Sequence, residues 1–345
     1  MFFACKRLRM SLKALCLCLT FQGGFAQISP KKLKPRFKAI TTLSAQPTFP
    51  KPRPTFLSLD FRRIAAFPVH VVSEKYGNTT SGNKFNQRIQ AKLNAPLVLK
   101  PNFQLTAGLR FQQEEFRFEN IALNDVPAHY RLNDRHLYSF GYRLYFATRL
   151  SDTWSLKGGM GADLNSDRMP QRNLWRCLRH NYFGLLEKTV NPRTEWGFGL
   201  AFGYDLGRAR VYPILRYAHQ FNQRWSMELS LPKEVRATYA FSPKMYLVGE
   251  TKISGAAYCL NQPLLEDVPV VEFRESHVEL SLEWQREIHD WLWMSIQGGM
   301  LKTLNMRVSE IRQPDFLLRV RSVEAPFLNV TLYLVPPRKM MSKKL

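Results

Sequence analysis

The sequence predicts an all-β protein: a transmembrane, antiparallel, up-and-down β-barrel of about 14 strands, with 12 as the alternative. Three observations carry this reading. Apolar and polar residues alternate with period two along most of the chain, short turns alternate with long polar connections, and tryptophans gather at one end of the expected strands. The composition permits it: 45% of the 345 residues are hydrophobic and 13% aromatic, enough for a large ordered structure. No apolar run reaches the roughly 18 residues that a membrane helix needs.

The chain opens with an export signal. Lys6, Arg7, Arg9 and Lys13 precede an apolar core from Ala14 to Phe21, and Gly24-Phe25-Ala26 sets small residues at the positions a signal peptidase reads. Residues 1–26 are therefore expected to be cleaved, with Met10 an alternative start. Residues 27–54 form a basic, Pro-rich linker on the periplasmic side, and 336–345 a basic tail. Of the formal charge of +23, eleven units lie in residues 1–54 and four after Val335, which leaves +8 for residues 55–335. A nucleic-acid-binding domain would concentrate its charge on the folded surface, so no nucleic-acid partner is expected. Of five cysteines only Cys177 and Cys259 lie beyond the signal, too few for a disulfide-built fold.

The barrel, residues 55–335, reads as strands near 55–71, 84–98, 103–118, 136–149, 154–164, 180–190, 194–205, 211–221, 225–231, 235–241, 245–258, 276–287, 291–302 and 326–335. The first, ninth and tenth are the weakest of the set. Phe103, Leu105, Ala107, Leu109 and Phe111 alternate with Gln104, Thr106, Gly108, Arg110 and Gln112, and Trp196, Phe198, Leu200 and Phe202 alternate with Gly197, Gly199, Ala201 and Gly203. Lys100-Pro101, Ser151-Asp152, Asn191-Pro192, Asn222-Gln223, Ser242-Pro243 and His289-Asp290 are tight turns. Between them lie longer connections near 73–83, 119–134, 165–179, 206–210, 260–275 and 303–325, with a short one at Pro232-Lys233. Short periplasmic turns and long outer loops are the signature of a membrane barrel, and a soluble sandwich has no reason to keep that order. Trp154, Trp196, Trp225 and Trp291 follow short turns, where aromatic side chains would sit at the lipid–water interface.

This grammar places apolar and aromatic side chains toward lipid and Gly, Ser, Thr, Gln and charged residues toward the lumen. Leu200 falls at the centre of a lipid-facing row, where arginine would block insertion, while Gly199 on the lumen face reads as replaceable by serine.

Three strings, Gly158-Gly159-Met160-Gly161-Ala162-Asp163-Leu164-Asn165-Ser166-Asp167, Tyr204-Asp205-Leu206-Gly207-Arg208-Ala209-Arg210-Val211-Tyr212-Pro213 and Leu231-Pro232-Lys233-Glu234-Val235-Arg236-Ala237-Thr238-Tyr239, resemble an uncharacterised family of Gram-negative outer-membrane β-barrel proteins, a domain of unknown function. The resemblance covers roughly residues 55–335 and implies location and architecture, with no activity or catalytic residues. One departure stands out: such chains usually end on an aromatic residue of the last strand, whereas this one continues past Tyr333 through Pro336-Pro337 to Leu345.

By parity the lumen receives Arg110, Glu114, Arg143, Glu228, Arg236, Glu250, Lys252, Glu279 and Glu283. Opposed acids and bases there would either select charged solutes or brace a narrow barrel with ion pairs. Arg168, Arg172, Arg176 and Arg179, spaced about every four residues in an outward loop, would be a solvated basic loop or contacts for lipopolysaccharide phosphates. Cys177 and Cys259 both fall near the outer rim and could pair. No enzyme is expected. No His pair has metal-ligand spacing, no phosphate loop precedes a helix, and no cofactor or metal is implied. A rim lipid hydrolase using His277 with Ser276 or Ser281 is the weak alternative to a water-exposed rim histidine. The expected partners are outer-membrane lipid and the outer-membrane assembly machinery. The expected role is a passive pore or transporter for small solutes, and the rival is a closed barrel working through its outer loops.

Overall fold

The computed structural model describes residues 54–74, 77–119, 135–168, 174–204, 209–261, 270–311, 315–322 and 324–338, so the expected signal and nearly all of the linker lie outside the described residues. The strands are β1 Leu57–Ile64, β2 Phe67–Val72, β3 Thr79–Lys100, β4 Phe103–Glu119, β5 His136–Arg149, β6 Trp154–Ser166, β7 Leu178–Asn191, β8 Thr194–Gly203, β9 Arg210–Gln220, β10 Trp225–Leu231, β11 Glu234–Ser242, β12 Met245–Leu260, β13 Val271–His289, β14 Leu292–Glu310, β15 Leu318–Ser322 and β16 Ala325–Leu334. A short helix, α1 (Leu174–Cys177), precedes β7.

β3 to β14 pair in sequence, each antiparallel to the next, and the ring closes as β14 pairs β16, β16 pairs β1 and β1 pairs β3. β1 and β2 are one wall strand interrupted at Ala65-Ala66, and β15 and β16 another interrupted near Glu324, which makes a closed 14-stranded antiparallel barrel. The alternation of the sequence is the alternation of the wall. Phe61, Leu109, Tyr142, Leu200, Leu215 and Leu280 are exposed on its outer surface, and their neighbours in sequence face the lumen. Trp196, Trp225 and Trp291 are exposed at the starts of β8, β10 and β14, and Trp154 opens β6 with its ring 5.9 Å from that of Trp196.

The outer half departs from a plain cylinder. β12 leans across the lumen until Cys259 pairs in parallel with Ser166 of β6. At that level β2, β3, β4, β5, β6, β12, β13, β14 and β15 close on one another. Inside them lies an apolar core that includes Val71, Phe116, Leu137, Tyr258, Phe273 and Leu318. The other lobe at this level is β7, β8 and β9, with β10 and β11 ending lower down.

Several expectations change. The connections expected near 260–275 and 303–325 are partly strand: β13 begins at Val271 and β14 runs to Glu310. Their alternation is hidden because outward positions of β13 carry Glu272 and Arg274, which are buried against the crossing rather than exposed. Nor is the lumen polar throughout. A second inward cluster, Ala240, Tyr246, Trp293, Tyr333 and Val335, fills its periplasmic end, with Trp293 stacked between Tyr246 and Tyr333. Gly199 is not replaceable: a Cβ there would lie 2.0 Å from the Gly184 carbonyl oxygen, because β7 and β8 approach more closely than a side chain allows. Beyond Tyr333 the chain stays attached, as Arg338 pairs with Glu287 and, at 3.1 Å, with Asp290 of the β13–β14 turn.

Candidate functional site in the barrel lumen

Among the described residues the lumen shows two large compartments. The first, about 530 Å³, lies below the apolar core and above the Tyr246–Trp293–Tyr333 stack, walled by β1, β3 to β6, β11 to β14 and β16. Its lining is polar and includes six of the nine charges selected by parity: Arg110, Arg236, Glu250, Lys252, Glu279 and Glu283. The second, about 610 Å³, is walled by β4 to β10 and takes in Arg143 and Glu228. The ninth, Glu114, is buried between them and the core, held by Arg88 at 2.9 Å, by Asn86 at 2.8 Å and by the Tyr258 hydroxyl at 3.3 Å.

Most of these charges are paired across strands. Asp163 accepts from Arg143 at 2.6 Å, Arg110 at 3.1 Å and Asn181 at 3.0 Å. Arg236 reaches Glu250 at 2.9 Å and Glu234 at 3.0 Å. Arg62 forks onto Glu279 at 2.7 and 3.0 Å. Glu187 is held between Lys157 and Arg216, and Arg216 also faces Glu228 at 3.7 Å. Sequence reasoning named both Arg236 and Glu250 and both arginines that meet Asp163, but missed Asp163 itself and the partners Glu187, Lys157, Arg216, Arg62 and Arg88. The signal was present: Asp163 shares parity with Gly159 and Gly161, but short glycine-rich segments give the eye no apolar row to count from.

The second compartment combines two chemistries. Tyr145, Phe183, Leu185 and Ile214 give it apolar surface, while Arg143, Lys157, Arg216 and Lys233 bring four cations to its lining against the single carboxylate Glu228. Gln104 and Ala147, within a few residues of periplasmic turns, mark its lower end, and Asn181, Tyr212 and Lys233 its upper end. Directly above Asn181, Arg179 spans the lumen to Glu272 of β13 at 2.5 Å, and Arg274 donates to the same carboxylate at 2.9 Å. Arg179 and Glu272 are each 2% exposed. Arg179 is thus no loop residue: it lies in β7, faces inward and closes the outer end of this compartment. Of the other three arginines, Arg168 is exposed and donates to the Asn261 carbonyl at 3.1 Å, Arg172 lies outside the described residues, and nothing is described of the Arg176 side chain. Cys177 and Cys259 form a disulfide with Cα atoms 5.3 Å apart, fastening α1 to the crossing end of β12.

His277 is not a rim residue either. It is 5% exposed, faces the first compartment, and has Ser254, rather than Ser276 or Ser281, against it. Its Nε2 lies 2.8 Å from the Ser254 hydroxyl and 3.0 Å from Glu279, and the same hydroxyl donates to Glu279 at 3.2 Å. A nucleophilic triad needs serine and acid on opposite ring nitrogens, so that one accepts a proton while the other is held. Here both crowd one nitrogen, a triangle that braces β12 to β13 and cannot relay a proton. Among the described residues no group of three His, Cys, Asp or Glu side chains is placed to hold a metal.

A ring of antiparallel strands with lipid-facing apolar rows, an aromatic edge and a charged lumen defines an outer-membrane-type β-barrel protein. Within that class the chain belongs to the family of the domain of unknown function DUF6268, whose model matches residues 59–314. No curated protein matches the sequence. Among solved structures it resembles an outer-membrane channel from Pseudomonas putida F1, at 6% identity over 89% of this chain and 100% of that chain, with a TM-score of 0.43. It also resembles a Pseudomonas aeruginosa FadL homologue, at 9% identity over 86% and 96% with a TM-score of 0.43. A third likeness is the Pseudomonas putida toluene transporter TodX, at 10% identity over 84% and 92% with a TM-score of 0.37. Likenesses this remote say nothing about what this chain binds or moves.

Proposed function

We propose that this protein is an outer-membrane channel for small solutes, exported through a cleaved signal at residues 1–26, and that its route is the compartment walled by β4 to β10. One observation carries the reading. The first compartment is capped by apolar clusters at both ends, whereas the second runs from near the periplasmic turns at Gln104 and Ala147 up to Tyr212 and Lys233, and among the described residues only the Arg179–Glu272 ion pair bridges it above. Arg143, Lys157, Arg216 and Lys233 face its space, while Asp163 and Glu187, which pair with three of them, lie behind the lining, so the surface a solute meets favours anions. The paired charges of the first compartment brace the wall. Lipopolysaccharide phosphate remains a proposed contact of the outer surface, resting on Arg168 among the described residues.

The test is single-channel recording of the purified protein in planar bilayers, followed by reversal potentials in a salt gradient. Stepwise, anion-preferring conductance is expected. A folded, inserted and electrically silent protein would favour the second reading, a closed barrel acting through its outer loops, for which the near-complete pairing of lumen charges speaks.

A further inference from the structure

The outer exit of the second compartment is bridged by Arg179 and Glu272, so a solute inside needs another way out. The wall itself supplies one. β9 pairs with β8 from Arg210 to His219 but with β10 only from Leu215 to Gln220, because β10 ends at Leu231 and turns at Pro232-Lys233. β12 likewise pairs with β11 only as far as Lys252, with one further bond from Ile253 N–H to the Lys233 carbonyl. Above that turn, no strand among the described residues lies between Arg210–Ile214 of β9 and residues 254–260 of β12. The crossing that carries Cys259 over to β6 widens the gap by drawing β12 inward.

The gap lies at the height of the lipid. β10 has seven residues; at about 3.3 Å each and a tilt of about 40° such a strand climbs roughly 18 Å of an apolar band about 25 Å tall. The wall beside it agrees: Val211 of β9, four residues above the level where Leu215 meets Leu231, faces outward and is 67% exposed. Open strand edges cannot face hydrocarbon alone, since each unpaired N–H or C=O there costs several kcal/mol, and they are tolerated where they line a wet or occupied cavity. Pro213 lies in this stretch of β9, and proline is tolerated in sheets on edge strands. Tyr212 and Ile214, on the same edge, and Lys233, on the turn below, line the second compartment.

We propose that this gap is a lateral doorway between the second compartment and the outer leaflet, and that the solute using it is a single-chain anionic amphiphile. The apolar body fits against Tyr145, Phe183, Leu185 and Ile214, and the anionic head toward Lys233 on the turn, with Lys157 and Arg216 sharing Glu187 below it. The inference rests on the channel reading for its solute but not for its geometry.

The experiment separates the two. Cysteines replacing Tyr212, Val211 and Thr106 one at a time, in the mature chain whose Cys177 and Cys259 are paired, are nitroxide-labelled in lipid vesicles. Collision with oxygen and with a water-soluble nickel chelate is then compared. The doorway predicts a Tyr212 label with lipid-like oxygen contact, close to Val211 and severalfold above Thr106, a lumen position away from the gap. Ile214→Cys gives a second reading if Tyr212→Cys folds poorly, as judged by heat-modifiable gel mobility. A Tyr212 label indistinguishable from Thr106 overturns the doorway. Uptake of dodecyl sulfate into the same vesicles, against dodecyltrimethylammonium and against protein-free vesicles, reads the solute. Lipid contact at Tyr212 without preferential dodecyl sulfate uptake overturns the amphiphile and leaves the doorway, while the channel reading stands or falls on the conductance. Uptake with a lumen-like Tyr212 overturns the doorway and leaves the channel.

Discussion

The two halves of the lumen are built from the same alternating strands and end up with opposite characters. On the side of β12 to β16 and β1 to β4, inward positions of the outer third carry Val71, Phe116, Tyr258 and Phe273, and these collapse into a sealed core. On the side of β7 to β10 the corresponding inward positions carry Asn181, Gly203 and Tyr212, and the strands there are shorter, so a cavity remains. The difference teaches that an open or shut barrel is decided less by strand number than by what the lumen face offers above the bilayer midplane. Apolar inward residues on long strands can meet across the axis; small or charged ones hold water.

The comparison breaks most severely at the crossing that divides the halves. Glu272→Ala leaves Arg179 and Arg274 buried without their counter-charge, a change expected to cost about 3–5 kcal/mol; chemical denaturation of the refolded barrel measures it. Phe273→Ala removes a ring from the sealed core and is expected to cost about 3–5 kcal/mol, whereas Phe183→Ala, a half-buried ring facing the cavity, costs about 1 kcal/mol. Equal losses for the two aromatics would mean that the halves are packed alike. Leu200→Arg tests what both halves share, the lipid-facing row, and is expected to cost about 2–4 kcal/mol and to deplete the protein from the membrane fraction. The smallest effect sharpens the contrast within the open half. Arg216→Gln leaves Glu187 held by Lys157, costs about 1 kcal/mol and lowers the anion preference of the conductance, read as a shift of reversal potential toward zero.

Much of the architecture was legible because membrane barrels write their geometry in period two. Trp196, Phe198, Leu200 and Phe202 against Gly197, Gly199, Ala201 and Gly203 give both the strand and its lipid face, and the turn at Asn191-Pro192 gives its start. The nine lumen charges followed from the same parity. What parity could not give was distance across the axis. Glu272 and Arg179 read as a loop acid and a loop base because each belongs to a polar stretch, and only the lean of β12 over to β6 brings them together. His277 with Ser254 is a similar case: the two lie on adjacent strands in a register that sequence spacing does not fix. The short β10–β11 hairpin was visible as Pro232-Lys233, but its meaning, a low place in the wall, needs the lengths of β9 and β12 beside it.

One half of the lumen is proposed as the route and the other is sealed. The direct measurement is thiol block of single-channel current: Thr106→Cys in the open half and Gln90→Cys in the sealed half, each exposed to a small charged methanethiosulfonate reagent during recording. Block of current through Thr106→Cys with no change through Gln90→Cys is the predicted result. Block through Gln90→Cys alone would place the route in the compartment described as sealed and contradict the account.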